Sequence, residues 1–248
     1  MPEAPALRAT GVTKSYGGNL VLAAIDLEVR PDEVVAVLGP SGCGKSTLLR
    51  VLAGLEPPDA GEVMEAGKRV RGPSSERPMV VQAATLFPWL SLRANLEWGP
   101  RALGHDQPRV VADRLLEATG LQGSDHLLPR QLSGGMRQRA AIAQVLANEP
   151  PLLLLDEPFG ALDAQTRLRM QEWLVGFLAE RGTATVLVTH DVEEALLLGH
   201  RLIRLSHRPA RVVDELAIDL PTPRGRSTLS EPAFVALKAR VLDQVLDA

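Results

Sequence analysis

The sequence predicts an α/β fold with a largely parallel sheet and a helical block inserted into it. Three features carry that prediction. Short apolar runs alternate with segments of helical period along most of the chain. One such run, Val34–Leu38, passes through a glycine-rich turn straight into the helical stretch Leu48–Ala53. The stretch from about Ala84 to Ala147 has helical period throughout. The 248 residues are 45% apolar and 23% charged, which suits a soluble globular chain with a large core.

The elements follow in order. Leu7–Val12 and Val21–Val29 read as strands around the turn Gly17-Gly18-Asn19. Val34–Leu38 is a buried strand, and the helix after it ends near Gly54. Glu56–Gly61 is a loop, Glu62–Ala66 and Val70 flank a turn at Gly67, and Met79–Val81 is a short strand. Val110, Val111, Leu115, Leu116 and Leu121 recur at helical spacing. Gly135–Ala147 is a helix with Ala140, Ala141, Ile142, Val145 and Leu146 facing inward. Leu152–Leu155 and Ala184–Thr189 are strands buried on both faces, with a helix at Gln165–Leu178 between them. Asp191 with Glu194 three residues on fits a capping box that opens another helix. Leu202–Leu205 and Arg211–Ala217 are strands, and Leu220–Arg226, with two prolines, reads as a solvated surface loop. Phe234, Leu237, Val241, Leu242 and Val245 give an amphipathic C-terminal helix that packs on the body.

Composition narrows the function. A net charge of −3 offers no basic field for nucleic acid or anionic lipid. The single cysteine, Cys43, forbids an intrachain disulfide, fits a reducing compartment, and reads as a small filler residue. Met1–Pro5 lacks the pattern of a signal peptide, and no apolar run reaches membrane-spanning length.

Residues 39–47 are Gly39, Pro40, Ser41, Gly42, Cys43, Gly44, Lys45, Ser46 and Thr47. This is the phosphate-binding loop pattern in its required strand–turn–helix context. Backbone N–H groups that wrap a polyphosphate closely favour glycine at 39, 42 and 44. The helix that follows aims its positive end at the phosphates, Lys45 reaches them, and the Ser46 hydroxyl is placed to ligate Mg²⁺. The run Leu152–Leu155 then delivers Asp156 and Glu157 at a strand end. Asp156 suits metal, and Glu157, pointing elsewhere, suits a base that polarises water. A second anion-binding helix start, Leu132, Ser133, Gly134, Gly135 and Met136, is surplus to one nucleotide, which suggests that it serves a nucleotide held by another subunit.

With these motifs in this order, the chain resembles the ATP-binding subunit of an ABC transporter. The likeness spans roughly residues 7–215. It comprises Walker A at 39–47, the Q-loop Gln82, the signature at 132–136, Walker B at 152–157, the D-loop Ala161-Leu162-Asp163 and the switch His190. Tyr16, the only tyrosine, stands where the family places an aromatic on adenine. Leu86-Phe87-Pro88-Trp89-Leu90 and Thr189–Ala195 are similar to the nitrate, sulfonate and taurine importer branch. Met136 stands where glutamine is common, Ala83 where an acidic or amide residue is frequent, and Gly199-His200 where Asp often precedes Arg. His200 reads as a surface or packing residue.

The resemblance implies a P-loop ABC ATPase core with a mixed, largely parallel sheet and an N-terminal antiparallel β-subdomain. These occupy about 1–83 and 148–217, with a helical subdomain at about 84–147 and a C-terminal loop and helix at about 218–248. It implies ATP and Mg²⁺ as ligands, with Lys45, Glu157 and His190 catalytic and Ser46, Gln82 and Asp156 around the metal. Tyr16 and residues 39–47 with Gln82 would bind nucleotide, while Asp163 and residues 132–136 would act on ATP held by a second subunit, a homodimer being expected. Further expected partners are a transmembrane permease and a separate solute-binding protein, with the chain peripheral on the cytoplasmic face of the inner membrane. A non-transport ABC ATPase such as an assembly scaffold, a subunit of an exporter or lipid system, and a regulatory P-loop protein without turnover remain alternatives. Gln82 and Ser133 lie too close in sequence for the long coiled coil of chromosome-type members.

Overall fold

A computed structural model describes residues 4–246. Met1, Pro2 and Glu3 of the N-terminal reading, and the side chain of Val245, lie outside the described residues. In chain order the elements are β1 (Leu7–Tyr16), β2 (Asn19–Val29), β3 (Val34–Leu38), α1 (Lys45–Leu52), β4 (Ala60–Glu65), β5 (Lys68–Arg69) and β6 (Met79–Val80). The chain continues through α2 (Leu92–Ala102), α3 (Pro108–Ala118), α4 (Gly134–Leu146), β7 (Leu152–Asp156), α5 (Ala164–Arg181), β8 (Ala184–Thr189), α6 (Val192–Leu198), β9 (Arg201–Leu205), β10 (Val212–Ala217) and α7 (Pro232–Leu246).

Two sheets result. One is antiparallel, in the order β2-β1-β4-β5. The other runs β10-β9-β3-β8-β7-β6 and is parallel except between β9 and β10. Every residue of β3, β7 and β8 is buried, as continuous apolar runs require when helices or a second sheet cover both faces. The period-2 rule divides β7 between two cores. Leu152 and Leu154 join Leu48, Leu52, Leu7 and Ile25 on the side of α1 and the antiparallel sheet. Leu153 and Leu155 join Ile142, Leu146, Met170 and Leu174 on the side of α4 and α5. A third cluster packs Ala36 and Leu38 against Leu196, Phe234 and Val241, which seats α6 and α7. Phe234 and Val241 are buried and Leu237 packs beside them, as the sequence predicts, but Leu242, read with the same apolar face, is 38% exposed.

The helices α2, α3 and α4 form a core of their own around Leu92, Leu96, Ala112, Leu115 and Ala140. α2 starts only at Leu92, later than the helical period from Ala84 suggested. The reason is Asn95, fully buried, which bonds the preceding segment instead of letting it coil. Its Oδ1 accepts from Phe87 N at 2.8 Å. Its Nδ2 donates to the carbonyls of Phe87 (3.2 Å), Leu90 (3.1 Å) and Ser91 (3.0 Å). Ser91 caps α2 by accepting from Ala94 N.

Two local readings are corrected. The Leu220–Arg226 segment is not solvated throughout, because Arg224 is 5% exposed. Its guanidinium donates to the carbonyls of Leu196 and Gly199, and to those of Ile218 and Leu220 at 3.0 and 3.2 Å. The end of α6 leaves carbonyls without helical partners, and a cation there satisfies them. The capping box is only half formed. Asp191 Oδ1 accepts from Glu193 N and Glu194 N at 2.9 and 3.3 Å, but Glu194 turns into the interior and is 4% exposed. Its Oε1 has no hydrogen-bond partner. Burial, helped by the Asp191 charge, pushes its pKa from 4.5 to about 8.

That shift has a definite sign. Between 4.5 and about 8 the folded chain holds a proton on Glu194 that the unfolded chain releases. The contribution is therefore fully present below pH 4.5 and is lost as pH rises through 8, at up to about 1.4 kcal/mol per pH unit. Glu194→Gln should remove this slope and raise stability at pH 8 on the order of 1–3 kcal/mol. Denaturant unfolding at pH 5.5 and pH 8 checks it, and an equal slope in both proteins would refute it.

Candidate nucleotide site

β3 ends at Leu38, and the chain turns through residues 39–44 into α1. Gly44 has φ 126°, and a Cβ there would lie 2.9 Å from Val21 Cγ1, so only glycine fits. α1 has no side-chain cap, which leaves its leading N–H groups free for an anion. Lys45 is 6% exposed and donates to the carbonyls of Gly39 (2.7 Å) and Pro40 (2.9 Å). The Cys43 side chain is buried in the main core, where burial raises its pKa, so only its backbone faces the loop's concavity.

The parallel register brings the other parts to the same edge. Leu38 pairs with Thr189, and Asp156 with Val188, so the loop, Asp156, Glu157 and His190 all leave the sheet together. Ser46 Oγ donates to Asp156 Oδ1 at 3.1 Å. Burial and then the Glu157 charge raise the pKa of Asp156, against the Ser46 hydrogen bond. A hydroxyl and a carboxylate in contact suit Mg²⁺, a hard cation that takes one or two carboxylates plus phosphate oxygens. Among the described residues no cluster of three or more His, Cys, Asp or Glu could hold a metal by itself. The donor set therefore fits Mg²⁺ that arrives with a polyphosphate.

Glu157 has φ 46°, a conformation rare outside glycine, and its carboxylate meets partners other than those of Asp156. Its carboxylate is held on both sides. Gln82 Nε2 donates to Oε2 at 3.2 Å, and His190 Nδ1 lies 3.1 Å from Oε1. Together with Ser41, Gly42, Gly44, Lys45, Ser46 and Thr47 these residues line a cleft of about 380 Å³.

Other residues singled out in the sequence lie outside this cleft. Tyr16, 42% exposed at the end of β1, donates its hydroxyl to Glu56 and lies near Thr47. Of the signature residues, Leu132 is buried while Ser133 and Gly134 are exposed, and none of 132–136 lines the cleft. Ser133 Oγ accepts from Met136 N at 3.2 Å, which caps α4 and leaves its own proton free to donate. A Cβ on Gly135 would sit 3.3 Å from Leu162 Cδ2, so this helix start lies close against the 161–163 turn. Asp163 caps α5 through Thr166 N at 3.0 Å, and that bond lowers its pKa.

The structure adds Arg208, which the sequence reading passed over. It lines the cleft from the exposed turn between β9 and β10. Ser206 braces that turn by accepting from Arg211 N at 3.0 Å. No motif contains Arg208. The signal for it is the pairing of β9 with β3, Leu38 opposite Arg204, which puts the β9 exit beside the phosphate loop.

The model of the ABC transporter family matches residues 22–160, more than half of the chain. The chain belongs to the ABC transporter family. This ABC subunit is 46% identical over 230 residues to the aliphatic sulfonates import ATP-binding protein SsuB 2 of Burkholderia cenocepacia (strain HI2424), covering 93% of this chain and 83% of that protein. It is 42% identical over 248 residues to the taurine import ATP-binding protein TauB of Escherichia coli O157:H7, covering 97% of each. A solved dimeric structure of the ATP-binding cassette MJ0796, in a post-hydrolysis state bound to ADP and Pi, superposes with a TM-score of 0.77 at 31% identity. That match covers 87% of this chain and 100% of the other. The ABC ATPase fold of the subunit carries with it the binding and hydrolysis of ATP.

Arg208→Ala should raise KM for ATP about tenfold with little change in kcat, the loss of roughly one charged phosphate contact. Arg208→Lys should recover most of it. Steady-state phosphate release checks both, and an unchanged KM in the alanine variant would remove Arg208 from the site.

Proposed function

We propose that this ABC subunit binds and hydrolyses MgATP to drive a membrane importer of small sulfonates, the class that includes aliphatic sulfonates and taurine. The observation that carries the chemistry is the Glu157 carboxylate, held between Gln82 and His190 at the mouth of a cleft floored by the phosphate loop. The named activities of the relatives support the solute class.

In this reading Lys45, Ser46, Thr47 and the amides of residues 39–47 hold the phosphates, and Tyr16 stacks on adenine. Ser46, Asp156 and Gln82 would hold Mg²⁺, which would supply neutralisation of charge on the phosphates. Glu157 is the base: it takes a proton from a water aligned with the γ-phosphorus. The imidazole of His190 turns an N–H from Glu157 toward the γ-phosphate when the cleft is loaded. Most of the acceleration is electrostatic positioning.

Each cleft is completed by Ser133, Gly134, Gly135 and Asp163 of a second copy. Ser133, Gly134 and Asp163 are exposed and Gly135 is half-buried, all outside the chain's own cleft, which supports this. ATP that contacts both copies favours the closed pair, because a ligand shifts an equilibrium only through differential binding. Residues 84–147 form the part that meets the permease, residues 1–83 and 148–217 the part that holds nucleotide, and residues 218–248 a C-terminal appendage. Trp89 and Trp98 are 72% and 53% exposed around Phe87, with ring centroids 5.8 and 5.3 Å from it. An exposed aromatic patch of this kind marks a partner surface and supports a permease seat there. No helix among the described residues is long and apolar enough to cross a membrane, so transport requires that partner. We place the subunit on the cytoplasmic face of the inner membrane, with a separate solute-binding protein on the other side.

Glu157→Gln should lower turnover about a thousandfold, in the range for loss of a general base, and trap an ATP-bound dimer visible by size exclusion. Wild-type turnover in that variant would remove Glu157 as the base. Mild-detergent capture from native membranes should bring down a multi-span permease whose complex turns over ATP faster with taurine or an alkanesulfonate. Soluble partners alone would overturn the transport reading.

A further inference from the structure

A second cavity, of about 410 Å³, lies at the opposite edge of the central sheet, where β3 begins rather than where it ends. Its walls are largely apolar: Val34, Val175, Leu178, Leu197 and Leu198 from β3, α5 and α6. The polar groups in it are few. Arg224 contributes a buried cation whose terminal nitrogens meet only carbonyl oxygens, and whose Nε has no partner. His200 Nδ1 accepts from Val34 N at 2.9 Å. A neutral imidazole that accepts at Nδ1 carries its proton on Nε2, so the ring offers a donor there. Asp32, exposed at the rim, is the one carboxylate among the lining residues.

Gly176 is the second independent feature. It lies within the 18-residue α5, where glycine costs roughly 0.5–1 kcal/mol against alanine. Neither a positive φ nor a close neighbour requires it, since a Cβ would meet nothing within 4 Å. Gly176 lines the cavity from an exposed position, where a side chain would enter open space. Volume, apolar walls and a few polar groups that converge are the features of a small-molecule site.

We infer that this cavity binds a small monoanion with an unbranched aliphatic body, its carboxylate or sulfonate drawn to Arg224 and His200 and its chain laid against Val175, Leu178, Leu197 and Leu198. Arg224 acts through its field from within the wall, and His200 Nε2 supplies the direct hydrogen bond. Asp32 at the mouth disfavours a dianion. The site is separate from the nucleotide cleft and does not rest on the transport reading.

The test is calorimetric titration of the full chain with hexanesulfonate, hexanoate and, as the neutral control, 1-hexanol. One anion should bind saturably at one per chain, and the tighter of the two identifies the headgroup. Hexanol should bind at least tenfold more weakly, and saturating ATP should not compete. Gly176→Leu, which places a side chain into the opening and removes a helix-weakening glycine, should fold and bind ATP normally yet bind the anion at least tenfold more weakly. Absence of saturable anion binding, equal binding of hexanol, competition by ATP, or undiminished binding to Gly176→Leu would each overturn the proposal.

Discussion

The parallel pairing of β3 with β8 and β9, and of β8 with β7, is the constraint on which the site depends. The phosphate loop leaves β3, Asp156 and Glu157 leave β7, His190 follows β8, and Arg208 follows β9. A slip of one residue between neighbouring strands displaces their ends by about 3.3 Å. That displacement is as large as the Ser46–Asp156 and His190–Glu157 contacts themselves, at 3.1 Å each. Burial of β3, β7 and β8 on both faces is therefore more than core stability. It sets the registration of the residues that face the cleft.

Much of this could be read in the sequence because it is local. The runs Val34–Leu38 and Leu152–Leu155 announced buried parallel strands, and glycine spacing announced the loop between strand and helix. The segment before α2 could not be read, because Asn95 holds it through bonds that no hydrophobic period encodes. Arg224 looked like a loop cation because nothing in its neighbourhood shows that orphan carbonyls at the end of α6 lie within its reach. Glu194 looked like a capping partner because the motif reports spacing, while burial decides which way the side chain turns. Arg208 was invisible for a similar reason: its place at the cleft depends on strand order, which is a property of the whole sheet.

Some residues combine structural and chemical roles. Ser133 and Asp163 both close helix starts, so their oxygens are fixed by backbone N–H groups of α4 and α5. A group oriented in this way needs no reorganisation when it meets a ligand, which is the physical basis of preorganisation. The same residues stabilise their own chain's helices. Loss of either would be felt in folding as well as in chemistry, and the two effects separate only when both are measured.

Cys43 sits at the centre of the phosphate loop, yet its sulfur is packed among the core side chains, 2% exposed. Burial also holds the thiol protonated, and only the thiolate reacts readily. Alkylating agents and peroxides thus meet no thiol at the surface of the folded chain. Since the sequence contains one cysteine, the rate at which it is labelled reports the openings, local or global, that expose this loop, a reporter supplied by the molecule itself.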